Sequence, residues 1–313
     1  MNNKYIINWE LSLNCNLDCS FCSQKERRNI NRKNLSIENI YKIIDNLDSN
    51  SHISFLWWET LIFPNIIDIF KKLENKWITY EITTNGIFLE KFINDFKKLN
   101  NLTQINISID WYWEVHDNSR WSKWLFKKII NIIPKIIPLK EINISTVITE
   151  SLTDKNLLNL HILLNKLWIK IHKLVYLMNF SENDIKKSKE KINSLLISAP
   201  WNKWKERNST YKKNFLQKYI LLNKLWLDIN ISYEPENIFN KKQSFCKQIV
   251  KQYRINEKWN LSICEFINNK FSNLINNKFE NAINNLQYKE LKKEVINNFP
   301  LDICKTCCKN INK

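Results

Sequence analysis

The stretch NCNLDCSFC, residues 14–22, places three cysteines at the spacing C-x3-C-x2-C, with an aromatic residue directly before the third cysteine. Thiolates bind soft metal centres such as zinc and iron–sulfur clusters. Three neighbouring thiolates can hold a [4Fe–4S] cube by three corners and leave the fourth iron open to another ligand. The alternatives are a zinc site that lacks a ligand and three unrelated cysteines. Because structural zinc sites use four ligands, the spacing alone favours an iron–sulfur cluster.

The length and composition of the chain indicate a globular protein. It has 313 residues, of which 44% are hydrophobic and 12% are aromatic. No apolar run reaches the 18 residues of a membrane span, and the first ten residues lack the pattern of a signal peptide. Eight cysteines without a signal sequence favour metal binding in a reducing cytosol over disulfides. We therefore expect a cytoplasmic protein that does not enter the membrane.

The net charge of +17 allows two interpretations. A strongly basic chain can bind nucleic acid. The lysines here are spread along a chain rich in Lys, Asn and Ile, and no Arg-rich or Arg/aromatic block occurs. This distribution favours lysines on solvated helix faces, so we do not expect nucleic-acid binding. The rival hypothesis that stays open is a non-enzymatic zinc protein with a basic surface for nucleic acid.

The glycine and tryptophan contents are unusual. The chain has one glycine, Gly86, and 13 tryptophans, whereas average usage predicts about 22 glycines. Trp168 and Trp226 each follow a predicted helix and precede a strand, at the C′ position that favours glycine. Trp259 lies at a predicted hairpin turn. Our hypothesis is that many of these tryptophans are glycines encoded by UGA, which some bacterial lineages read as glycine. The alternative is a truly Trp-rich protein.

Strands and helices alternate through the first 180 residues. This alternation predicts six parallel β/α units, which right-handed crossovers would curl into a full or partial barrel. Ser36, with Asn39 three residues later, predicts the N-cap of the first helix. The predicted strands are Tyr5–Leu13, His52–Leu56, Tyr80–Thr84, Gln104–Asp110, Glu141–Ile148 and Ile169–Leu177, and the predicted helices are Ser36–Leu47, Pro64–Leu73, Leu89–Leu99, Ser122–Ile133 and Asp154–Leu167.

The pattern changes after about residue 180. Lys-rich helices are predicted first, and a hairpin and a final helix follow. We divide the chain into a core barrel over 1–180, a helical linker over 181–239 and a small α+β domain over 240–313. The later predicted elements are the helices Lys191–Ala199, Thr210–Leu225 and Phe279–Ile296, the strand Leu227–Ser232, and the hairpin of Val250–Asn256 and Asn260–Ile263.

Four stretches, in chain order, resemble the radical S-adenosylmethionine (SAM) enzymes. The first is the cysteine motif with its aromatic residue. The others stand where these enzymes have Gly-Gly-Glu, Thr-Asn-Gly and Ser-x-Asp-Gly…His-Asp-x-x-Arg-Gly. They read Trp57-Trp58-Glu59, Thr84-Asn85-Gly86, and Ser108-Ile109-Asp110-Trp111 with His116-Asp117-Asn118-Ser119-Arg120-Trp121. Most glycines of these patterns are tryptophans here, which supports the UGA hypothesis at Trp57, Trp58, Trp111 and Trp121 as well.

The resemblance implies a fold and a cofactor site. The fold is a partial (β/α)6 barrel, and the cofactors are a [4Fe–4S] cluster on Cys15, Cys19 and Cys22 and a SAM molecule on its open iron. No catalytic residue is assigned beyond the cluster. The SAM contacts implied by the motifs are Phe21, Trp57, Trp58, Glu59, Asn85, Ser108 and Arg120.

Alternative roles stay open for several of these residues. Arg120 would pair with the SAM carboxylate, but it could instead form a surface salt bridge with Asp117 or Glu114. Ser108 and Asp110 could be ordinary caps at a strand end. Two indoles at 57 and 58 would keep the backbone away from a ligand, whereas glycine would allow close approach.

The cysteines near the C-terminus resemble those of SPASM and twitch domains. Cys246-x12-Trp259-x4-Cys264 matches their opening, and Cys304-x2-Cys307 supplies the later pair. The resemblance implies one auxiliary iron–sulfur cluster on these four cysteines, with Cys308 able to replace Cys307. Because only Cys308 follows, we expect the shorter twitch form unless the chain is truncated. A four-cysteine zinc site is the alternative.

The implied function is radical chemistry on a peptide or a small molecule. Related enzymes cleave SAM reductively to a 5′-deoxyadenosyl radical, which abstracts hydrogen from ribosomal peptides or from small alcohols such as aminocyclitols. We therefore expect an oxidoreductase or modifying enzyme that takes electrons from a flavodoxin or ferredoxin. The first cysteine lies only 15 residues into the chain. We expect no fused peptide-recognition domain, so a peptide substrate would need a separate delivery protein or direct binding.

Overall fold

A computed structural model describes most of the chain. The described residues are 5–22, 36–56, 58–149, 152–176, 182–191, 196–197, 209–225, 227–234, 249, 252–256, 258–264, 267–268, 272–299, 301 and 304. Trp57, Trp226, Cys246, Cys307 and Cys308 lie outside them, and so do the predictions made for these residues. No described helix is both long enough and apolar enough to cross a membrane.

The described part of the chain alternates strands and helices through its first half, as the sequence predicts. The strands are β1 Tyr5–Trp9, β2 Ser51–Phe55, β3 Thr79–Thr84, β4 Leu102–Ser108, β5 Glu141–Ile148, β6 Ile171–Tyr176, β7 Leu196–Ile197, β8 Asn230–Glu234, β9 Gln252–Ile255, β10 Leu261–Ser262 and β11 Ile267–Asn268. The helices are α1 Ile37–Asn46, α2 Ile66–Asn75, α3 Leu89–Phe96, α4 Glu114–Arg120, α5 Leu125–Ile136, α6 Asp154–Lys166, α7 Glu182–Lys191, α8 Ser209–Asn223 and two final helices, Phe279–Asn284 and Leu286–Asn297.

A nine-stranded sheet in the order β10-β9-β1-β2-β3-β4-β5-β6-β8 organises the fold. Strands β1 to β6 pair in parallel in chain order, which confirms the predicted α/β class. The sheet also extends beyond the six expected strands. β8 pairs in parallel with β6 at one edge, and β9 pairs in parallel with β1 at the other. The segment after residue 240 therefore shares the sheet of the barrel.

The core lies on the apolar faces of these elements. Ile7, Ile53, Ile82, Ile105 and Ile144 stand in β1 to β5, and each is fully buried. Polar residues alternate with these isoleucines, and some of them, such as Asn106 and Asn143, are buried within the strands. The helices bury matching apolar stripes in the same core cluster.

The cap predicted for α1 is confirmed. The Ser36 side chain accepts a hydrogen bond from the backbone N–H of Asn39 at 3.4 Å. Such a cap satisfies one of the N–H groups that have no partner within the helix.

Three sequence predictions differ from the structure. The helix predicted over Lys191–Ala199 is wrong: α7 ends at Lys191, and Leu196–Ile197 forms a strand that pairs with β11. The single helix over Phe279–Ile296 is interrupted at Asn285, whose side chain accepts from the N–H of Tyr288 and caps a new helix. Residues 114–120, for which no helix was predicted, form α4.

Candidate functional site

The cysteine loop, residues 10–22, follows β1 at the edge where the parallel strands end. Two backbone hydrogen bonds hold it to its neighbours. Glu59 N–H, after β2, donates to the Asn14 carbonyl at 3.2 Å, and Ser20 N–H donates to the Ser119 carbonyl of α4 at 3.0 Å. Within the loop, Cys22 N–H donates to the Cys19 carbonyl at 3.1 Å. The carboxyl edge of a parallel sheet is where α/β folds place their ligand sites.

Glu59 is a buried carboxylate that joins the loops after β2 and β3. It accepts hydrogen bonds from Leu61 N–H at 3.1 Å, Thr84 Oγ1–H at 2.8 Å and Asn85 N–H at 2.6 Å. Burial raises the pKa of the Glu59 carboxyl, while these three hydrogen bonds oppose the increase. Glu59 therefore organises the backbone next to the cysteine loop through contacts within the protein.

Asn85 connects the end of β3 to the cysteine loop. Its Nδ2 donates to Asn16 Oδ1 at 2.8 Å and lies 4.0 Å from Cys15 Sγ. Its Oδ1 accepts from Ile87 N–H at 3.1 Å, which closes a turn of the type that Asn side chains favour. The Thr84-Asn85-Gly86 turn therefore lies next to the first cysteine.

Arg120 forms a buried ion pair with Asp110. Its Nε and Nη2 lie 2.7 and 2.6 Å from Asp110 Oδ2, and the two side chains are 7% and 0% exposed. The other Asp110 oxygen accepts from Val147 N–H at 2.9 Å. The alternative of a surface salt bridge to Asp117 or Glu114 is wrong. Asp117 instead accepts from Phe126 N–H at 2.7 Å, at the start of α5.

The Arg120 charge lies beside the cysteine loop. Its guanidinium carbon is 5.7 Å from the centre of the Phe21 ring. Burial raises the pKa of the Cys19 thiol to about 11, and the positive charge of Arg120 opposes this increase. Cys15 and Cys22 interact electrostatically with Cys19 in the same place. The three thiols, Arg120 and Phe21 therefore form one cluster at the strand ends.

The thiols of Cys15, Cys19 and Cys22 are candidate ligands for a metal centre. None of Cys15, Cys19 and Cys22 is in a disulfide. Among the described residues, no three His, Cys, Asp or Glu side chains converge in a way that would hold a single metal ion. A zinc ion needs such convergence, since its thiolates all lie about 2.3 Å from one atom. In a cubane cluster each thiolate binds a different iron, so three neighbouring thiols are a suitable set of donors for three of its four irons.

The family comparison agrees with this geometry. A model described as the radical SAM superfamily matches residues 9–160, which include the three cysteines, Glu59, Asn85 and Arg120. Residues 9–160 are thus similar to a radical SAM domain. Members of this superfamily use a [4Fe–4S] cluster together with SAM.

One curated relative and two solved structures are similar to parts or most of the chain. The chain is 34% identical over 99 residues to a probable GTP 3′,8-cyclase of Methanococcus vannielii; this covers 31% of the chain and only about a third, 33%, of the relative. SuiB of Streptococcus suis has a TM-score of 0.70 at 14% identity, over 93% of this chain and 68% of SuiB. The structure of anSMEcpe with bound AdoMet and Cp18Cys peptide has a TM-score of 0.60 at 15% identity, over 92% of this chain and 82% of that one. The two structural likenesses show a shared fold.

Two tryptophans of the radical SAM domain fit a cofactor site poorly. Trp58 and Trp111 are buried; Trp58 directly precedes Glu59, and the Trp111 ring packs edge-on against Phe21 with centres 6.1 Å apart. The indole Nε1 of each is buried without a hydrogen-bond partner, as is that of Trp9, although buried indole N–H groups usually have one. The thiols and polar groups fit the cofactors, whereas these two indoles occupy space next to them.

The remaining predicted residues are placed only in part. Ser108 ends β4, so it stands at the correct edge of the sheet. Cys264 follows β10, and Cys304 is buried near the end of the chain. Because Cys246 and Cys307 lie outside the described residues, the auxiliary set stays a prediction.

The sequence analysis did not predict an ion pair that joins β9 to the cysteine loop. Arg254 of β9 donates through Nη2 to Glu10 Oε2 at 2.5 Å and through Nη1 to the Cys264 carbonyl at 3.3 Å. Glu10 is the first residue of the cysteine loop, so Arg254 connects it to the strand end that carries Cys264. No sequence signal could have identified this pair, because 244 residues separate its members.

Proposed function

We propose that this protein is a radical SAM enzyme that modifies a peptide. The observation that carries the proposal is the meeting of three thiols, Asn85 and the Arg120–Asp110 pair at the strand-end edge of a radical SAM domain. We assign the [4Fe–4S] cluster to Cys15, Cys19 and Cys22, and SAM to the space bordered by Phe21, Glu59, Asn85, Ser108 and Arg120. When bound, this pair of cofactors supplies one-electron cleavage of the SAM S–C5′ bond, which gives methionine and a radical that abstracts hydrogen from the substrate.

The protein groups around the thiols suit an anionic centre. Three thiolates concentrate negative charge, and Arg120 provides a compensating positive charge that Asp110 holds in place. Such compensation costs less in a preformed site than in water, because the guanidinium does not have to reorient. Glu59 and Asn85 fix the neighbouring backbone, and we assign them the role of positioning SAM through that backbone.

The peptide substrate is inferred from the neighbours of the same fold. SuiB has also been crystallised with its precursor peptide SuiA, with a TM-score of 0.69 to this chain, and anSMEcpe carries the Cp18Cys peptide. Each likeness covers more than nine tenths of this chain, whereas the cyclase relative covers less than a third of it. Dehydrogenation of a small alcohol is the second candidate for the substrate.

The other partners follow from this chemistry. A one-electron donor such as a flavodoxin or ferredoxin is needed to reduce the cluster, and a separate delivery protein would present a peptide. We assign one auxiliary iron–sulfur cluster, in a twitch-like unit, to Cys246, Cys264, Cys304 and Cys307, with Cys308 as the substitute for Cys307. Its role would be to accept an electron from the substrate radical or to bind the substrate.

Anaerobic reconstitution with iron and sulfide tests the proposal. We expect about four irons for each cluster, hence about eight per chain, and release of 5′-deoxyadenosine from SAM with dithionite. Replacing Cys15, Cys19 and Cys22 together by Ala should remove half of the iron and all cleavage. Stoichiometric zinc with no charge-transfer absorption would contradict the proposal and favour the zinc-protein hypothesis.

A further inference from the structure

Six tryptophans have a backbone conformation that tryptophan rarely adopts. Nine of the 13 tryptophans lie in the described residues, and six of these nine have a φ between 54° and 64°. A side chain with a Cβ is strained at positive φ, whereas glycine is not. Asn65 is the one other non-glycine residue with positive φ among the described residues, and Asn is the type that tolerates this region best. The six are Trp77, Trp113, Trp121, Trp124, Trp168 and Trp259.

Three of the six end helices in the same hydrogen-bond pattern. After α2, Trp77 N–H donates to the Glu74 carbonyl and Ile78 N–H to the Leu73 carbonyl, at 3.0 and 3.1 Å. After α6, Trp168 and Ile169 repeat these bonds at 3.0 and 3.1 Å. This is the Schellman motif, in which the C′ residue is left-handed and is usually glycine.

The third helix end repeats the motif. Trp121 N–H donates to the Asn118 carbonyl at 3.4 Å and Ser122 N–H donates to the Asp117 carbonyl at 3.0 Å, after α4. Three helices that end alike at three tryptophans are not expected from chance, because a tryptophan has no preference for this position.

The backbone conformation of Trp113 is even more restricted to glycine. It has φ 59° and ψ −134° at the residue before α4. This combination lies in the mirror image of the β region, which glycine populates and other residues avoid. Trp124 takes φ 64° and ψ 7° directly before α5, and Trp259 takes φ 61° in the turn between β9 and β10.

The side chains add a second, independent argument. Trp77, Trp113, Trp121, Trp124 and Trp168 are between 51% and 84% exposed. These five make up half of the ten large hydrophobic side chains that are exposed in the described part of the chain. Trp9 contrasts with them: it lies within β1, is fully buried and stacks on Phe55 with ring centres 5.7 Å apart. Packing explains Trp9 and does not explain the five.

We infer that the natural protein has glycine, encoded by UGA, at the positions of Trp77, Trp113, Trp121, Trp124, Trp168 and Trp259, and tryptophan at Trp9. Glycine takes a positive φ without strain at all six positions, and five of the six indoles are at least 51% exposed. Gly86, the one glycine of the printed sequence, also has positive φ, at 88°. The inference names Trp77, Trp113 and Trp124, to which the sequence pattern gave no signal.

The same substitution resolves the conflict at the cofactor site. Glycine in place of Trp58 and Trp111 would remove two buried indoles, of which Trp111 packs against Phe21. This extension rests on the proposed function, whereas the assignment of the six positions rests on the backbone alone.

The coding DNA tests the assignment directly, with Trp9 as the internal control. We expect UGA at the six positions and UGG at Trp9. UGG codons at the six positions would overturn the inference. UGA at all seven positions, together with tryptophan in the corresponding peptides of the native protein by mass spectrometry, would overturn it as well.

Stability provides a test at the protein level. A chain expressed with all six positions changed from Trp to Gly should have a Tm higher than the printed sequence by roughly 10 °C, because six strained positions are relieved at once. Trp9→Gly, the matched control, should lower the Tm because it empties a packed position. A lower Tm for the six-position variant would contradict the inference.

SAM binding separates this inference from the proposed function. With Trp58→Gly and Trp111→Gly, we expect SAM affinity to rise at least tenfold in equilibrium dialysis, while iron loading at the three cysteines stays the same. Tight SAM binding by the printed sequence would contradict the extension to Trp58 and Trp111 and leave the proposed function standing. Failure of both proteins to load iron would contradict the proposed function alone.

Discussion

Two buried arginine–carboxylate pairs hold the two cysteine-bearing regions of this molecule in different ways. Arg120 and Asp110 are ten residues apart and join the end of β4 to α4, beside the three N-terminal thiols. Arg254 and Glu10 are 244 residues apart and join β9 to the start of the cysteine loop. Both pairs are almost fully buried. The Arg120–Asp110 pair stabilises a site made by one stretch of chain. The Arg254–Glu10 pair depends on the pairing of β9 with β1.

The largest expected effect distinguishes the two sets of cysteines. Removing Cys15, Cys19 and Cys22 should abolish SAM cleavage, because these thiols would hold the iron that binds SAM. Cys264→Ala should remove auxiliary iron but leave uncoupled SAM cleavage at a similar rate. Release of 5′-deoxyadenosine and iron content measure both effects. Loss of SAM cleavage in Cys264→Ala would show that the two regions act as one site.

The Arg120–Asp110 pair should carry the next largest effect. Asp110→Asn leaves a buried guanidinium without its countercharge and should lower the free energy of unfolding by about 4 kcal/mol. Asp68→Asn is the matched control, because it breaks an exposed pair with Lys71 and should cost less than about 1 kcal/mol. Denaturant unfolding of the metal-free protein measures both values. Equal effects in the two variants would mean that the buried pair contributes no more than a surface pair.

Loss of the Arg254–Glu10 pair should lower the free energy of unfolding by a smaller amount. It should also affect the region that carries Cys264. Glu10→Gln should cost about 3 kcal/mol, because Arg254 keeps one contact to the Cys264 carbonyl. It should also reduce auxiliary iron while SAM-site iron is retained.

A double variant sharpens this test. Replacing both partners, Glu10→Leu with Arg254→Met, should restore part of the stability, since no charge is then left buried alone. Iron retention equal to that of the unchanged protein in both variants would disprove the link between the pair and the Cys264 region.

The smallest predicted effect is a pH dependence of the free energy of unfolding, which comes from His161 and His172. His161 Nδ1 and His172 Nδ1 lie 2.9 Å apart, and His172 Nε2 lies 2.9 Å from Thr146 Oγ1. The Thr146 hydroxyl donates to the Ile109 carbonyl, next to Asp110. Because that hydroxyl proton is used, His172 must donate to it from Nε2. Its Nδ1 then accepts from His161 Nδ1–H, so these hydrogen bonds need a neutral His172, and burial disfavours a charge on either ring.

Burial lowers the pKa of His161 to about 4 and that of His172 to about 3. The unfolded chain binds protons below about pH 6.5, whereas the folded chain does not until about pH 4. Stability from this pair is therefore complete above pH 6.5 and should fall by about 2 kcal/mol as the pH decreases to about 5.8. The double variant His161→Gln, His172→Gln should show a smaller decrease in denaturant unfolding at the two pH values. An unchanged decrease would assign the pH dependence to other groups.

Much of the fold was predictable because its signals are local. The alternation of apolar runs specified β1 to β6 and their helices, Ser36 specified the start of α1, and the tryptophans at 168 and 259 marked a helix end and a hairpin turn. The errors also have local causes. The composition of the Lys-rich segment after residue 181 favours a helix. Leu196–Ile197 is a strand because it pairs with β11.

The candidate site was predictable to a lesser degree. The motifs identified the cysteine loop, Glu59, Asn85 and Arg120, but they could not name the partner of Arg120, since three acidic residues lie within ten positions of it. Asp110 becomes the partner because β4 ends beside α4 and because burial excludes water from the pair. Spacing along a chain indicates which residues can meet, and packing decides which of them do.

By itself, the sequence determined the class of fold, the grouping of three thiols in one loop and the excess of tryptophan over glycine. These properties depend on residue type and on neighbours within about one turn or one strand. Only the tertiary structure decided the pairing of β9 with β1, the contact of Arg254 with Glu10 and Cys264, and the positive φ of Trp77, Trp113 and Trp124. Contacts between residues hundreds of positions apart and backbone angles at loop ends arise from the packing of the whole sheet and its helices, which no local pattern encodes.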